Sequence, residues 1–349
     1  MERLSGVETC RGAAALLVVF YHAAVYLRFS EEFRYQVFSD VFGFGGHGVD
    51  FFFVLSGFII LFAYGKDLGR LDRLPHYAWH RFTRLYPIYW CVCAIVIPIL
   101  FAYPTVRFAY GHETRWDVIL KSLVLFPQER PPVVGVAWTL QHEVLFYVLF
   151  GALYVHRAVG WILLLGWQAL VLGVNLGRVS VTFPMTFLSD MHNFQFLIGM
   201  ALVPVVRRVT LRHPLGVLAV GTLLFLACGI LEMHGPLASP RAFVPRCLTY
   251  GLASALILWG LVQAEVAGKV RIPAPLVAIG VASYSIYLIH IMVIHALAQG
   301  IVLFSLERWL PEVVTFAALS GGCVVAGMLL SRYVERPLLR SLRNLTVCH

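Results

Sequence analysis

Apolar residues arrive along this chain in long unbroken runs, separated by short intervals that carry the charges and many of the prolines. Ten runs stand out, at about 12–29, 44–65, 85–104, 133–154, 159–177, 184–205, 214–234, 245–264, 280–304 and 313–334. Each is about 18 to 24 residues long, the length a helix needs to cross a hydrocarbon core of roughly 30 Å. Helices are the only open-ended spanning element, because lipid offers no partner to unpaired backbone groups. The pattern therefore predicts an all-α, polytopic membrane protein of about ten transmembrane helices.

Composition agrees. Of the 349 residues, 60% are hydrophobic and 13% charged, with mean hydropathy +0.80, against roughly 25% charged residues in soluble domains. A net charge of +9 raises the question of nucleic acid, but such binders gather Lys and Arg on one polar face, whereas here they lie between apolar runs. No nucleic-acid partner is expected; the lipid bilayer is. With the N-terminus inside, the cytoplasmic intervals hold 17 Lys and Arg and the outer ones 10, so the positive-inside rule puts both termini in the cytoplasm. The first run lacks a small-residue cleavage site and leads straight into the multi-span pattern, so it is read as a helix rather than a signal peptide. Seven cysteines without a CxxC pair indicate neither a disulfide framework nor a zinc site. There is no soluble domain, low-complexity tract or internal repeat, so residues 1–349 read as a single membrane-embedded domain. The interval 66–84 is basic and cytoplasmic; the outer interval 105–132 is long enough for a function such as acceptor binding. Nothing in the sequence speaks to oligomeric state.

Ionisable residues inside spans are costly, and each is a functional candidate that needs a partner or a wet cavity. Arg11 opens the first span and His22 lies eleven residues on, about three turns and roughly 16 Å further. They share a face, with a cation at the cytoplasmic mouth and an imidazole near mid-membrane. Donor phosphates on Arg11 with the reactive end at His22 is one reading; a snorkelling Arg11 and a histidine bonded to a neighbouring helix is the other. Asp50, behind Gly45-Gly46-His47-Gly48, falls on the outer half of the second span, where a carboxylate can fix the tautomer of His22. The glycines are no dinucleotide fingerprint, since no strand precedes them. Ser56 is no nucleophile elbow, because Val54 stands where glycine is required; close packing is the reading for Ser56 and Gly57. Arg81 and Arg84, at i and i+3, share a face if helical, and suit either bidentate phosphate binding or the positive-inside rule alone. Glu143 lies near the midplane of the fourth span, and His142-Glu143 is not a zincin motif, since Phe146 replaces the second histidine. Glu143 and His22 are a plausible acid–base pair by depth. In the ninth span Ser283, Tyr284 and His290 can line a sugar pocket or act as interhelical glue.

Together these segments resemble the acyltransferase-3 family of membrane acyltransferases, above all its members that decorate exopolysaccharide and O-antigen. The likeness runs from Arg11 to about Pro337. It rests on Arg11-Gly12 through Tyr21-His22, on Gly48-Val49-Asp50 through Ser56-Gly57-Phe58, on Arg81-Phe82-Thr83-Arg84, on Trp138-Thr139-Leu140 with Glu143, on Ser283 through His290, and on Val334-Glu335-Arg336-Pro337. The resemblance implies a bacterial inner-membrane, multi-pass enzyme. Its donor substrate would be acetyl-CoA or another acyl-CoA, its acceptor a carbohydrate or lipid-linked glycan, with no tightly bound cofactor. Arg11 with His22 matches the family's Arg-x10-His signature and Arg81 with Arg84 its Arg-x-x-Arg, the histidine being essential and the arginines tied to the donor. No room is expected for the C-terminal SGNH hydrolase-like domain that many members carry. The mechanism so implied has His22 as general base or acyl carrier, Asp50 or Glu143 supporting the imidazolium, and Ser283 or Tyr284 donating to the oxyanion. A proton-coupled transporter, which also needs ionisable groups at mid-membrane, is the alternative class.

The orientation is tested with a reporter fused at His349. It is expected to be active only on the cytoplasmic side; labelling from the periplasm would reverse the topology and the donor side with it.

Overall fold

The computed structural model describes residues 5–103 and 111–347. Ten long helices account for most of it: α1 (Ser5–Phe29), α2 (Gly48–Tyr64), α3 (Leu74–Ala102), α4 (Trp138–Val155), α5 (Arg157–Leu176), α6 (His192–Arg208), α7 (Pro214–His234), α8 (Phe243–Val266), α9 (Ala274–Leu303) and α10 (Glu312–Leu330). A π-helical turn, Ser331–Glu335, leads from α10 into a last helix, α11 (Arg336–Val347). No strand occurs among the described residues. Nine helical stretches there are long and apolar enough to cross a membrane. The other, α6, has 17 residues, the lower limit for a span.

Three boundaries differ from those expected. The run at 184–205 is not one helix, because a short helix Met185–Leu188 ends before α6 starts at His192. The polar residues at the break account for it. Asp190 Oδ1 accepts from the backbone N–H of His192 at 2.9 Å, and Asn193 Nδ2 donates to Phe187 O at 2.9 Å, so side chains replace the backbone ladder. α3 starts at Leu74 rather than 85, with Pro75 in its first turn, where a missing N–H costs nothing; Arg81 and Arg84 are thus both helical. Part of the outer interval 105–132 also folds, as the short helix Trp116–Leu123. Its last carbonyls are held from α3 by Tyr89 OH on Ser122 O at 2.9 Å and Trp90 Nε1 on Leu123 O at 2.8 Å. Residues 104–110 of the expected third span and outer interval lie outside the described residues.

The chain forms two compact units. The first comprises residues up to Phe52 and Thr210–Arg336; the second comprises Phe53–Val209 with the C-terminal residues from Pro337. The core of the first unit is a sandwich of α1, α9 and α10. Ala15, Val19, Ala23, Ala24 and Leu27 of α1 meet Ala282, Ile286, Ile294, Ala298 and Ile301 of α9 and Phe316, Leu319 and Cys323 of α10. Lipid tails are as apolar as leucine, so helices in a bilayer associate by close packing, and small residues permit the closest approach. The approach is tightest at two glycines. A methyl group built on Gly12 would lie 2.9 Å from Gly280 N, and one on Gly280 would lie 1.9 Å from Glu8 O. The start of α1 is also anchored by Glu265 of α8, which accepts from Ser5 N at 2.8 Å and Gly6 N at 2.7 Å, occupying N–H groups a helix start leaves unpaired.

In the second unit α2 and α6 touch backbone to backbone at Gly57, where an added Cβ would fall 2.1 Å from Phe196 O. The packing expected of Gly57 is what the structure shows. α3 and α4 are joined by Tyr77 OH donating to Tyr147 O at 3.0 Å, over a cluster of the Tyr77, Phe150 and Tyr154 rings.

Gly280→Val should therefore lower the thermal midpoint of the detergent-solubilised protein, at a cost of about 1–3 kcal/mol or more for overpacking. Gly300→Ala, on the same helix where nothing lies within 4 Å of an added Cβ, should leave it unchanged. Equal behaviour of the two variants would refute the close-approach account.

Candidate functional site

In the first unit the parallel pairing of α1 with α9 builds a histidine pair. Gly12 and Gly280 touch near the start of the two helices, and ten residues later on each, about 15 Å along at 1.5 Å per residue, stand His22 and His290. The equal spacing carries both imidazoles to one level: His290 Nε2 lies 3.2 Å from His22 Nδ1, the ring centroids 4.8 Å apart. His22 Nδ1 also lies 2.9 Å from Val18 O, and His290 Nδ1 lies 2.5 Å from Tyr287 O. His290 is fully buried and His22 half-buried.

Asp50 is buried at 1% exposure and hydrogen-bonds His47 Nδ1 at 2.7 Å. His47 belongs to the glycine-rich stretch, whose charges received no role in the sequence reading. Its other nitrogen, Nε2, lies 3.0 Å from Glu232 Oε1, its ring stacks on Tyr250 at 3.9 Å, and Tyr250 OH donates to Glu232 at 2.8 Å. Arg246 completes the group at 3.4 Å from Glu232. The support Asp50 was expected to give His22 is seen instead as a bond to His47, within a network that ties the start of α2 to α7 and α8.

Arg11 pairs with Glu8 one turn earlier at 3.3 Å. On α9, Ser283 is fully buried with its hydroxyl unpartnered among the described residues, and Tyr284 is 6% exposed. Ser285 donates to Glu335 at 2.7 Å, an interhelical bond.

The second unit holds the other expected residues. The Glu143 carboxylate accepts from Ser56 Oγ at 3.0 Å and from the Tyr147 hydroxyl, so within this unit its partners are hydroxyls, where an imidazole partner was expected. Ser56, read as a packing residue, supplies one of them. From Tyr147 the contacts continue to Arg81, whose guanidinium lies 5.6 Å from that ring and 5.0 Å from the Tyr64 ring and donates to Tyr64 OH at 3.0 Å. Tyr64 OH in turn lies 3.3 Å from His80 Nδ1. Tyr64, His80, Arg81, Thr83, Arg84 and Leu339 line a cavity of about 430 Å³. Two arginines and, among the described residues, no carboxylate line it, a lining that suits a multiply charged anion such as a phosphate ester. Tyr64, Tyr147 and His80 were not legible as site residues. Only the i, i+4 spacing of Glu143 and Tyr147 on one helix face could have drawn attention to one of them.

The all-helical chain thus carries an imidazole pair in its first unit and an arginine-lined cavity in its second. The profile of the acyltransferase domain family matches residues 4–332, and the chain belongs to that family. It is an acyltransferase for groups other than amino-acyl groups, and the transporter reading is set aside. Among characterised relatives, the exopolysaccharide production protein ExoZ of Rhizobium meliloti (strain 1021) is 30% identical over 309 residues, covering 85% of this chain and 90% of that protein. Acyltransferase MdmB of Streptomyces mycarofaciens is 27% identical over 379 residues, covering 97% of this chain and 92% of that protein. No solved structure matches.

The geometry at Glu143 separates folding from function. In Glu143→Gln the amide oxygen still accepts from Ser56 and Tyr147, so the unfolding midpoint in detergent is expected to move by less than about 1 kcal/mol, the net worth of one neutral hydrogen bond. A loss of several kcal/mol would show that the ionised carboxylate holds the unit together.

Proposed function

We propose that the protein transfers an acyl group, acetyl above all, from cytoplasmic acyl-CoA to a hydroxyl of an extracytoplasmic or lipid-linked carbohydrate, such as exopolysaccharide or O-antigen, in a bacterial inner membrane. The observation that carries the donor assignment is the cavity lined by Arg81 and Arg84 and, among the described residues, by no carboxylate. The acceptor assignment draws on the likeness to the exopolysaccharide production protein ExoZ of Rhizobium meliloti.

In the reaction the acceptor hydroxyl oxygen bonds to the thioester carbonyl carbon and the C–S bond breaks. The hydroxyl proton passes to His22 and then to the departing thiolate, so an ester and a free thiol are formed. A relay, with the acyl group first on His22 and then on the acceptor, gives the same products. Arg84 and Arg81 hold the donor phosphates from the second unit, and Arg11 adds a cation at the start of α1. Ser283 and Tyr284 donate to the oxyanion.

Turnover of purified protein with acetyl-CoA and membrane glycan tests the assignment. His22→Ala is expected to lose activity by roughly 10²-fold or more, the contribution of a positioned acid–base group. Arg84→Ala should raise the donor KM by about tenfold or more with kcat little changed, and Arg84→Lys should restore it only in part for want of the bidentate fork. Wild-type turnover in His22→Ala, or unaltered acyl-CoA binding in Arg84→Ala, would overturn the corresponding role.

A further inference from the structure

The hydrogen bonds around the histidine pair fix where each proton sits. A backbone carbonyl oxygen only accepts, so His290 Nδ1, 2.5 Å from Tyr287 O, carries a hydrogen and donates it. His290 is 0% exposed, and an imidazolium there would be a charge withdrawn from water, so its ring is neutral and its Nε2 is an acceptor. The atom opposite that acceptor is His22 Nδ1, at 3.2 Å, which also faces Val18 O at 2.9 Å. Both neighbours accept, so His22 Nδ1 is a donor. One proton arrangement satisfies all three contacts, and it leaves the lone pair of neutral His22 on Nε2. That atom has no hydrogen-bond partner among the described residues, on a ring that is half-buried rather than enclosed.

We infer that His290 is a positioning residue that, with Val18 O, locks His22 in the Nδ1–H tautomer, so that Nε2 of His22 is the reacting nitrogen of the acyltransfer. The inference rests on the proposed role of His22 and holds for either chemical route. As general base, Nε2 takes the proton of the acceptor hydroxyl. As acyl carrier, Nε2 bonds the acyl carbon while the C–S bond breaks, and the acceptor oxygen later displaces it. His290 touches neither substrate in this account. Its fully buried ring and its bond to Tyr287 O suit the interhelical role rather than the sugar-lining one, of the two that the sequence leaves open. Which nitrogen of a neutral histidine is protonated is set by the bond the other makes.

Two measurements decide it. In protein labelled with ¹⁵N at histidine and held in lipid bilayers, the ring resonances that disappear in His22→Gln belong to His22. They are expected to report a neutral ring protonated at Nδ1; a ring protonated at Nε2 would overturn the inference without involving any variant of His290. In turnover assays His290→Leu should lower kcat by roughly tenfold or more, a part of the roughly 10²- to 10⁴-fold that a positioned base supplies, with the donor KM within about twofold. His290→Gln, whose Oε1 can still accept from His22 Nδ1–H, should recover most of it. Wild-type kcat in His290→Leu, or the same loss in both variants, would overturn the positioning role. Should His290→Leu not fold, the His22 resonances decide alone. Wild-type turnover in His22→Ala would instead remove the proposed role of His22 while leaving the tautomer result standing, so the two failures are distinguishable.

Discussion

The contact of Gly12 with Gly280 and Glu8 sets the geometry of the first unit. In a bilayer no hydrophobic force draws one helix to another, because lipid satisfies apolar side chains as well as protein does. What remains is van der Waals contact between surfaces that can come close, and it falls off steeply with separation. Two glycines let the backbones of α1 and α9 touch, and the alanines at 15, 23, 24, 282 and 298 keep the helices near one another along their length. Parallel helices pinned at one level stay in register, so side chains ten residues beyond the pin on each helix meet. The histidine pair follows from that contact.

A second constraint is the cost of polar groups without water. A lone charge in the hydrocarbon region costs several kcal/mol or more, so each such group here is held by another. His47 lies between Asp50 and Glu232, with an acceptor for each ring nitrogen. Glu143 lies between two hydroxyls, and Glu335 accepts from Ser285. These bonds have a direction that apolar packing lacks, and they fix rotamers as well as energies. Arg81 is treated in the same way, its charge spread over the faces of Tyr64 and Tyr147, as a desolvated guanidinium prefers. Arg84 stands one turn on at the wall of the same cavity. The arrangement leaves the cavity cationic while the Arg81 charge rests on aromatic faces.

The chemistry asked of the site is modest in parts and demanding in placement. In the proposed reaction the thioester is already activated, and the acceptor needs only to lose a proton as its oxygen attacks. A half-buried imidazole with one nitrogen committed to hydrogen bonds and the other open is suited to that, and holding reactants in place supplies much of the remaining barrier reduction.

By itself the sequence determined the membrane class and the family. Those properties depend on run length, on the cost of charge in lipid and on short local motifs, all of which are read along one dimension. It also supplied His22, Glu143, Arg81 and Arg84 as candidates, because an ionisable residue in an apolar run is conspicuous wherever it packs. The partners of these groups were decided by the tertiary structure alone. Asp50 meets His47, Glu143 meets Ser56 and Tyr147, and His22 meets His290 across 268 positions of chain. Hydroxyls and imidazoles are ordinary residues until a second helix is laid against them, and which face meets which is set by a crossing point. The matched spacing of Gly12 to His22 and Gly280 to His290 was present in the sequence. It had meaning only once the two glycines were known to touch, because a register is a relation between two helices and neither helix contains it alone.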